Sequence, residues 1–496
     1  LSESVIIIGA GLGGLAAAIR LATRGVRVRV LEKNATPGGK VNIHRADGYS
    51  FDTGASLLTM RHVLDELFKS AGRSVDDYLE LVPLEPLCRY RWPDGVQLDA
   101  STDLDKTARE IERIATPADA EGFRQFIADA RRKYEVAERT FLAHSLNDLP
   151  QLLRPRYARD LALISSWRTL DAHVRRYFRS ARLQQLFNRF ATYNGSSPYR
   201  TPATFALIPY VEFGLGAWYM RGGMYELPSA LVSLARELGV LIETGTEVDK
   251  ILIEQGRACG VRLAGGEVMR ADAVLANSDA VDTYRRLIDR DARRVYTDRK
   301  LEKLEPSCSG FVLLLGVARL YPQLAHHNIF FSSDYPAEFR ALFEAGRPAA
   351  DPTIYVCAAS RTDASQAPAG HENLFVLVNA PATGGQTNWT AEARGYRDLI
   401  VRRLEENGLD GLSDAIDYEY IITPADFEQT YHANRGSIYG ISSNKRRHAF
   451  LRPPNKARDI ARLYFAGGST HPGGGIPLVL LSGKMAAELL LRETTR

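Results

Sequence analysis

Val5-Ile6-Ile7-Ile8-Gly9-Ala10-Gly11-Leu12-Gly13-Gly14 is the stretch that decides the fold. Its four β-branched residues read as a short buried strand. Leu15 to Arg24 then reads as a helix that stops at Gly25, Val26 to Leu31 as a second strand, and Glu32 ends it. Strand, glycine loop, helix, strand and acid in this order predict a dinucleotide site. Gly9 permits the tight turn, Gly11 lets a pyrophosphate reach the backbone, and Gly14 lets helix and strand pack closely, with Gly13 beside it in the same loop. The helix N-terminus offers free N–H groups and a positive dipole to phosphate. Glu32, eighteen residues after Gly14, is placed to accept from ribose hydroxyls, and its charge disfavours a 2′-phosphate.

The following segments choose the cofactor. Pro37-Gly38-Gly39-Lys40 comes after a short loop, and Phe51-Asp52-Thr53-Gly54-Ala55-Ser56 soon afterwards. Together they resemble the signature of the amine oxidase and phytoene desaturase flavoproteins. The resemblance implies FAD, held noncovalently, with Gly39, Lys40, Gly54, Ala55 and Ser56 extending the grip. The family more often has Arg at Lys40, so here the charge is kept and the forked donors are lost. The same resemblance assigns Val248, in Thr246-Glu247-Val248-Asp249, to the adenine end through its backbone. It assigns Asn277, at the end of Ala273-Val274-Leu275-Ala276-Asn277-Ser278, to a strand leading back to the cofactor. Near the C-terminus, the strand Leu463 to Ala466 precedes Gly467-Gly468-Ser469-Thr470-His471-Pro472-Gly473-Gly474-Gly475-Ile476-Pro477 and a helix from Leu478 to Leu491. Gly467, Gly468, Gly475 and Ile476 would lie against the flavin ring, where bulk at Gly475 would find no vacant space. The helix N-terminus would favour negative charge at the flavin pyrimidine edge.

This C-terminal run is similar to that of bacterial carotenoid desaturases. Pro306 to Phe311, Leu324 to Phe330, Asp351 to Tyr355, Gln366 to Gly370 and Asn434 to Gly440 extend the similarity along nearly the whole chain, closest to the diapocarotenoid branch. The resemblance implies an α/β fold: a Rossmann-type FAD-binding domain from residues 1–75, 220–290 and 450–496, an α+β substrate domain from 76–110 and 291–449, and a helical insertion at 111–219. It also implies an apolar polyene substrate, hydride transfer to flavin N5 that creates a conjugated double bond, and reoxidation by oxygen or a quinone. Family members that oxidise terminal methyl groups tend to carry Asn at His471, so this residue implies desaturation and is the candidate catalytic side chain. Three alternatives stand beside it. A terminal-methyl oxygenase would add oxygen without lengthening the polyene, a redox-neutral carotenoid isomerase would consume no acceptor, and an amine oxidase would need a polar, aromatic-caged site.

Composition bounds the rest. The 496 residues are 45% hydrophobic and 25% charged, with a net charge of +4, which calls for no acidic partner. Cys88, Cys259, Cys308 and Cys357 form no CxxC pair, which fits a reducing compartment and no thiolate metal site. His326 and His327 are expected on opposite faces of a strand, so no metal is predicted. The start shows no signal peptide, and no apolar run reaches the roughly 18–20 residues of a spanning helix. From Gln151 to Phe190 nine arginines (Arg154, Arg156, Arg159, Arg168, Arg175, Arg176, Arg179, Arg182, Arg189) face only Asp160 and Asp171. With Leu161, Leu163, Ile164, Trp167 and Leu170 interleaved, they predict a basic amphipathic surface for an anionic leaflet. The expected location is cytoplasmic, peripheral on the inner face of the membrane. No nucleic-acid motif is present.

Overall fold

A computed structural model describes residues 3–148 and 167–494. Arg154, Arg156, Arg159, Asp160, Leu161, Leu163 and Ile164 of the basic stretch lie outside the described residues. Ser4–Ile8 forms the centre of a five-stranded parallel sheet, ordered Leu463–Phe465, Ala273–Ala276, Ser4–Ile8, Arg27–Leu31, Leu241–Glu243. A central parallel strand is covered on both faces, which is why its sequence is an unbroken apolar run. The strands come from three stretches far apart in the chain. The helices Leu12–Ala22 and Ile476–Thr494, first and last of the chain, pack against each other. The last helix begins at Ile476, two residues before its sequence-based start, with Pro477 in its first turn. An antiparallel sheet of Val248–Glu254, Arg257–Leu263 and Val268–Arg270 flanks this unit.

A second sheet has seven strands, ordered Ile416–Ile422, Ser309–Val317, Glu372–Ala380, Ile354–Cys357, His327–Phe330, Cys88–Arg91, Gln97–Ala100. All its pairs are antiparallel except His327–Phe330 with Cys88–Arg91. Ser309–Val317 is buried at every residue. Phe311, Leu313 and Leu315 pack with Trp389, Tyr396 and Ile400 of the helix Trp389–Glu406, while Val312 and Leu314 join the main core on the other face. The period of two of a strand thus supplies two cores at once.

The helical part includes Leu104–Ile114, Pro117–Arg139, Leu170–Val174, Ala181–Asn188 and Ile208–Phe213. Thr116 caps the longest of these by accepting from Asp119 N, with Pro117 at its first turn. Phe123, Phe126, Phe178, Phe187, Phe190 and Phe213 fill the space between them. No described helix is long and apolar enough to cross a membrane.

Candidate functional site: two joined cavities

The glycine loop, the acid after the second strand and the C-terminal loop meet around one cavity of 330 Å³, within the ordinary size of ligand sites. Gly9, Gly11, Gly13, Glu32, Gly39, Lys40, Gly54, Ala55, Val248, Asn277, Gly467, Gly468, Gly475 and Ile476 all line it. Gly14 does not. A Cβ there would run into the Gly9 carbonyl, so Gly14 serves the close approach of helix to strand. Glu32 accepts from Ala10 N at 2.8 Å and from Asn34 N and Nδ2 at 2.9 Å. Each carboxylate oxygen has further lone pairs for a ribose hydroxyl.

Asn277 does more than lead a strand back to the cofactor. Its Nδ2 donates to the Gly9 carbonyl at 3.2 Å. A Cβ on Gly11 would lie 2.8 Å from that Nδ2, and one on Gly13 would lie 2.7 Å from Asn277 Oδ1 and 3.1 Å from Gly467 N. One amide therefore holds the first glycine loop and lies against the second at Gly467, and bulk at Gly11 first meets Asn277. Lys40 donates from Nζ to the Ser437 and Ile438 carbonyls at 3.1 and 3.0 Å. Its amine ties the cofactor loop to that distant segment. Burial lowers the Lys40 ammonium and raises the Asp279 carboxyl, each opposed by the charge of the other. At Gly475, φ is +109° and a Cβ would meet no protein atom within 4 Å. The space a side chain would enter is therefore the cavity itself, so bulk there would crowd what the cavities hold and not the protein, and it is also opposed by backbone strain.

A second cavity, of 340 Å³, abuts the first. Gly54, Ala55, Phe375, Leu377, Tyr439 and Gly474 to Ile476 border both. Its wall is mainly apolar and includes Met60, Ala137, Leu207, Ile208, Val211 and Ile329. Ser56, expected at the cofactor, borders this second cavity instead, and its Oγ lies 2.5 Å from the Tyr355 hydroxyl. Asp52 and His471 line neither cavity. Asp52 accepts from the Tyr219 hydroxyl at 3.0 Å. His471 is fully buried, and its Nε2 donates to the Phe141 and His144 carbonyls at 3.0 and 2.9 Å. It fastens the C-terminal loop to the segment after Pro117–Arg139.

His326 and His327 do not point to opposite faces. The strand starts at His327, His326 precedes it, and the ring centroids are 4.4 Å apart. With Cys357 they bring three donor atoms within 4.8 Å of one another. Each already has a neutral partner: His326 Nδ1 and Thr362 Oγ1 at 2.7 Å, His326 Nε2 and Cys357 Sγ at 3.4 Å, His327 Nδ1 and Tyr355 Oη at 2.8 Å. Burial pushes His326 down to about 3, so its ring is neutral at pH 7, and pushes the Cys357 thiol well up.

The basic stretch is also revised. Arg189 is buried on the wall of the second cavity. Arg175 pairs with Asp171 at 2.8 Å, and Arg182 pairs with Asp94 from outside the stretch. Arg176 and Arg179 remain exposed. Sequence reasoning missed Arg189, Glu212 and Tyr193 as cavity residues. The signal was an arginine set between Leu186-Phe187 and Phe190-Ala191, where a surface side chain is out of place.

A parallel sheet, a glycine loop at a helix N-terminus, an acid at the ribose position and an open-sided C-terminal glycine loop define a flavoprotein that binds FAD. The chain belongs to the family described as flavin containing amine oxidoreductase, whose model matches residues 12–491. It is 40% identical over 99% of both chains to a 4,4'-diapolycopene oxygenase of Methylomonas sp. It is 38% identical to a zeta-carotene-forming phytoene desaturase of Myxococcus xanthus, over 98% of this chain and 93% of the relative. Among solved structures, an oxidoreductase from Methanosarcina mazei matches with a TM-score of 0.67 at 18% identity, over 98% of this chain and 100% of that one, which supports the fold alone.

Proposed function

We propose that this protein is an FAD-dependent oxidoreductase of long apolar polyenes, whose main reaction is desaturation of the carotenoid type. The observation that carries this reading is the apolar cavity joined to the cofactor cavity along Gly54–Ala55 and Gly474–Ile476. Bound FAD supplies the hydride acceptor. The chain's residues do the rest: Phe375, Leu377 and Tyr439 position the polyene at the junction, and the apolar wall excludes water. Among the described residues, no Asp, Glu, Lys, Arg or His borders both cavities. That suits a reaction governed by placement.

A second reading, oxidation of a terminal methyl group, is favoured by the relative named an oxygenase at 40% identity. It is no longer opposed by His471, which touches neither cavity. The electron acceptor is oxygen or a quinone. Incubating FAD-loaded enzyme with C30 and C40 polyenes, followed by chromatography and mass analysis, tests all three outcomes. A lengthened chromophore without added oxygen supports desaturation, and added oxygen supports the second reading. Isomers formed with no acceptor consumed would overturn both.

The polyene enters from a membrane surface on the cytoplasmic side. The cavity wall reaches Ala449 and Phe450, and the next residue, Leu451, is exposed. Trp167 is 89% exposed, and the guanidinium of Arg446 stands 3.9 Å from its ring centroid. An exposed Trp beside cationic side chains is suited to the headgroup layer.

A further inference from the structure

We propose that Arg189 is a specificity residue of the apolar cavity, where its guanidinium receives the carbonyl oxygen of a polyene that already carries an oxygenated end. The inference rests on the polyene reading and adds a substrate class to it.

Arg189 follows the helix Ala181–Asn188 and is 9% exposed. Its guanidinium is caged by Tyr90, Phe190 and Tyr193, whose ring centroids lie 5.3, 4.8 and 5.4 Å from its Cζ. Glu212 Oε2 stands 3.7 Å from Nη2, too far for a hydrogen bond, and this oxygen accepts from the Tyr193 hydroxyl. The charge is thus balanced, and the environment keeps the guanidinium protonated. The directional donors are not balanced. Nη2 donates to the Tyr90 hydroxyl at 2.9 Å, and Nε has no partner but is buried out of reach of the cavity, which leaves Nη1, without a hydrogen bond among the described residues, as the donor open to a ligand. A guanidinium carries five N–H donors, and an unpartnered donor in an apolar wall costs free energy that a ligand oxygen recovers.

The missing partner must accept and need not be charged. Glu212 already supplies the countercharge, so a carboxylate end would face a second carboxylate. A neutral carbonyl meets no such penalty. The rest of the wall is mainly apolar and, besides Arg189 and Glu212, holds only neutral polar side chains such as Thr59, Asn194 and Asn379, so the ligand this site fits is a long, largely apolar chain ending in one carbonyl.

The test is binding to FAD-loaded enzyme of an all-trans C30 polyene aldehyde, the parent C30 hydrocarbon and the corresponding carboxylate, each delivered in phosphatidylcholine vesicles. In the wild type the aldehyde binds about tenfold or more tighter than the hydrocarbon, as a charge-assisted hydrogen bond implies. Its absorption moves to the red because the donor stabilises the polarised excited state. Arg189→Met removes the shift and the preference for aldehyde over hydrocarbon while FAD content, whose cavity Arg189 does not line, stays in place, and Arg189→Lys retains part of both the shift and the preference. Equal wild-type affinity for aldehyde and hydrocarbon, with no shift, overturns the inference and leaves the polyene reading standing. The same holds for equal loss of both ligands in Arg189→Met. Carboxylate binding tighter than aldehyde overturns the assignment of a neutral carbonyl. Failure of all three to bind or react overturns the polyene reading itself. The wild-type comparison stands even where Arg189→Met fails to fold.

Discussion

Asp52 shows how one buried carboxyl sets a pH dependence. Burial pushes it from 3.8 up to about 6, against the pull of Tyr219 and the Met224 and Tyr225 N–H groups. Between these two values the unfolded chain has lost its proton while the folded chain keeps it. The unfolded state then binds fewer protons, so stability falls as pH rises through this window and stays lower above about 6. At 1.36 kcal/mol per unit the contribution is about 3 kcal/mol. Asp52→Asn keeps an oxygen for the Tyr219 hydroxyl and removes the ionisation. Denaturation of the two proteins between pH 4 and 8 should show the variant gaining on the wild type as pH rises. A constant difference across that range would mean that Asp52 does not titrate there. His471 is the second residue-scale case. Burial lowers its imidazole to about 4, so the ring is neutral at pH 7 and Nε2–H is the donor to the Phe141 and His144 carbonyls. His471→Asn therefore leaves buried acceptors unpaired, at a cost of about 1–3 kcal/mol. The expected outcome is a lower melting temperature and faster loss of FAD, with the same products. Changed products at an unchanged melting temperature would return His471 to the chemistry.

The contact between the first and last helices decides whether the cofactor loops face each other. A Cβ on Gly483 would run into the Gly13 carbonyl oxygen and lie 3.0 Å from Ala17 N. Gly483→Leu should force Leu12–Ala22 and Ile476–Thr494 apart, cost about 1–3 kcal/mol by overpacking, and release FAD because both helices begin at the cofactor cavity. Retention of full flavin absorbance would show that the contact is adaptable. The fold was legible wherever function and local geometry coincide, as in Val5 to Glu32, whose glycines serve both turn and ligand. Gly483 was not legible, since a lone glycine in a helix reads only as a weak helix former. Asn277 was known only by resemblance, because its bonds reach residues 268 positions away. Arg189 was counted with a surface face because nine arginines in a row of helices suggest solvent, and only tertiary packing turns one of them inward. The two histidines were misplaced by a single residue of strand boundary, which is enough to bring their rings together.

At the scale of the whole molecule, the proposed route takes an apolar substrate from a membrane to a cavity inside a protein without a described membrane-spanning helix. The structure offers two surfaces of different chemistry for docking. One is Arg176 and Arg179, exposed and without ion pairs among the described residues. The other is Trp167 with Arg446, and Leu451, which is 46% exposed and adjoins the cavity wall. Charge acts over about a Debye length and is weakened by salt, at about 1 kcal/mol per basic residue near an anionic surface. Apolar insertion is indifferent to salt. The two contributions should therefore separate on vesicles. Wild-type protein should sediment with vesicles containing phosphatidylglycerol and be partly released by 0.5 M salt, a concentration at which the Debye length falls to about 4 Å. Arg176→Glu with Arg179→Glu should lose about tenfold or more of the binding at low salt and little of what remains at high salt. Trp167→Ser with Leu451→Ser should lose the salt-resistant fraction and, on neutral vesicles, turnover of vesicle-borne polyene. Flavin absorbance should be unchanged in both variants, because none of these four side chains lines the cofactor cavity. Sedimentation of all three proteins to the same extent would remove both surfaces from the route by which the polyene arrives. Loss in only one variant would assign membrane contact to that surface alone.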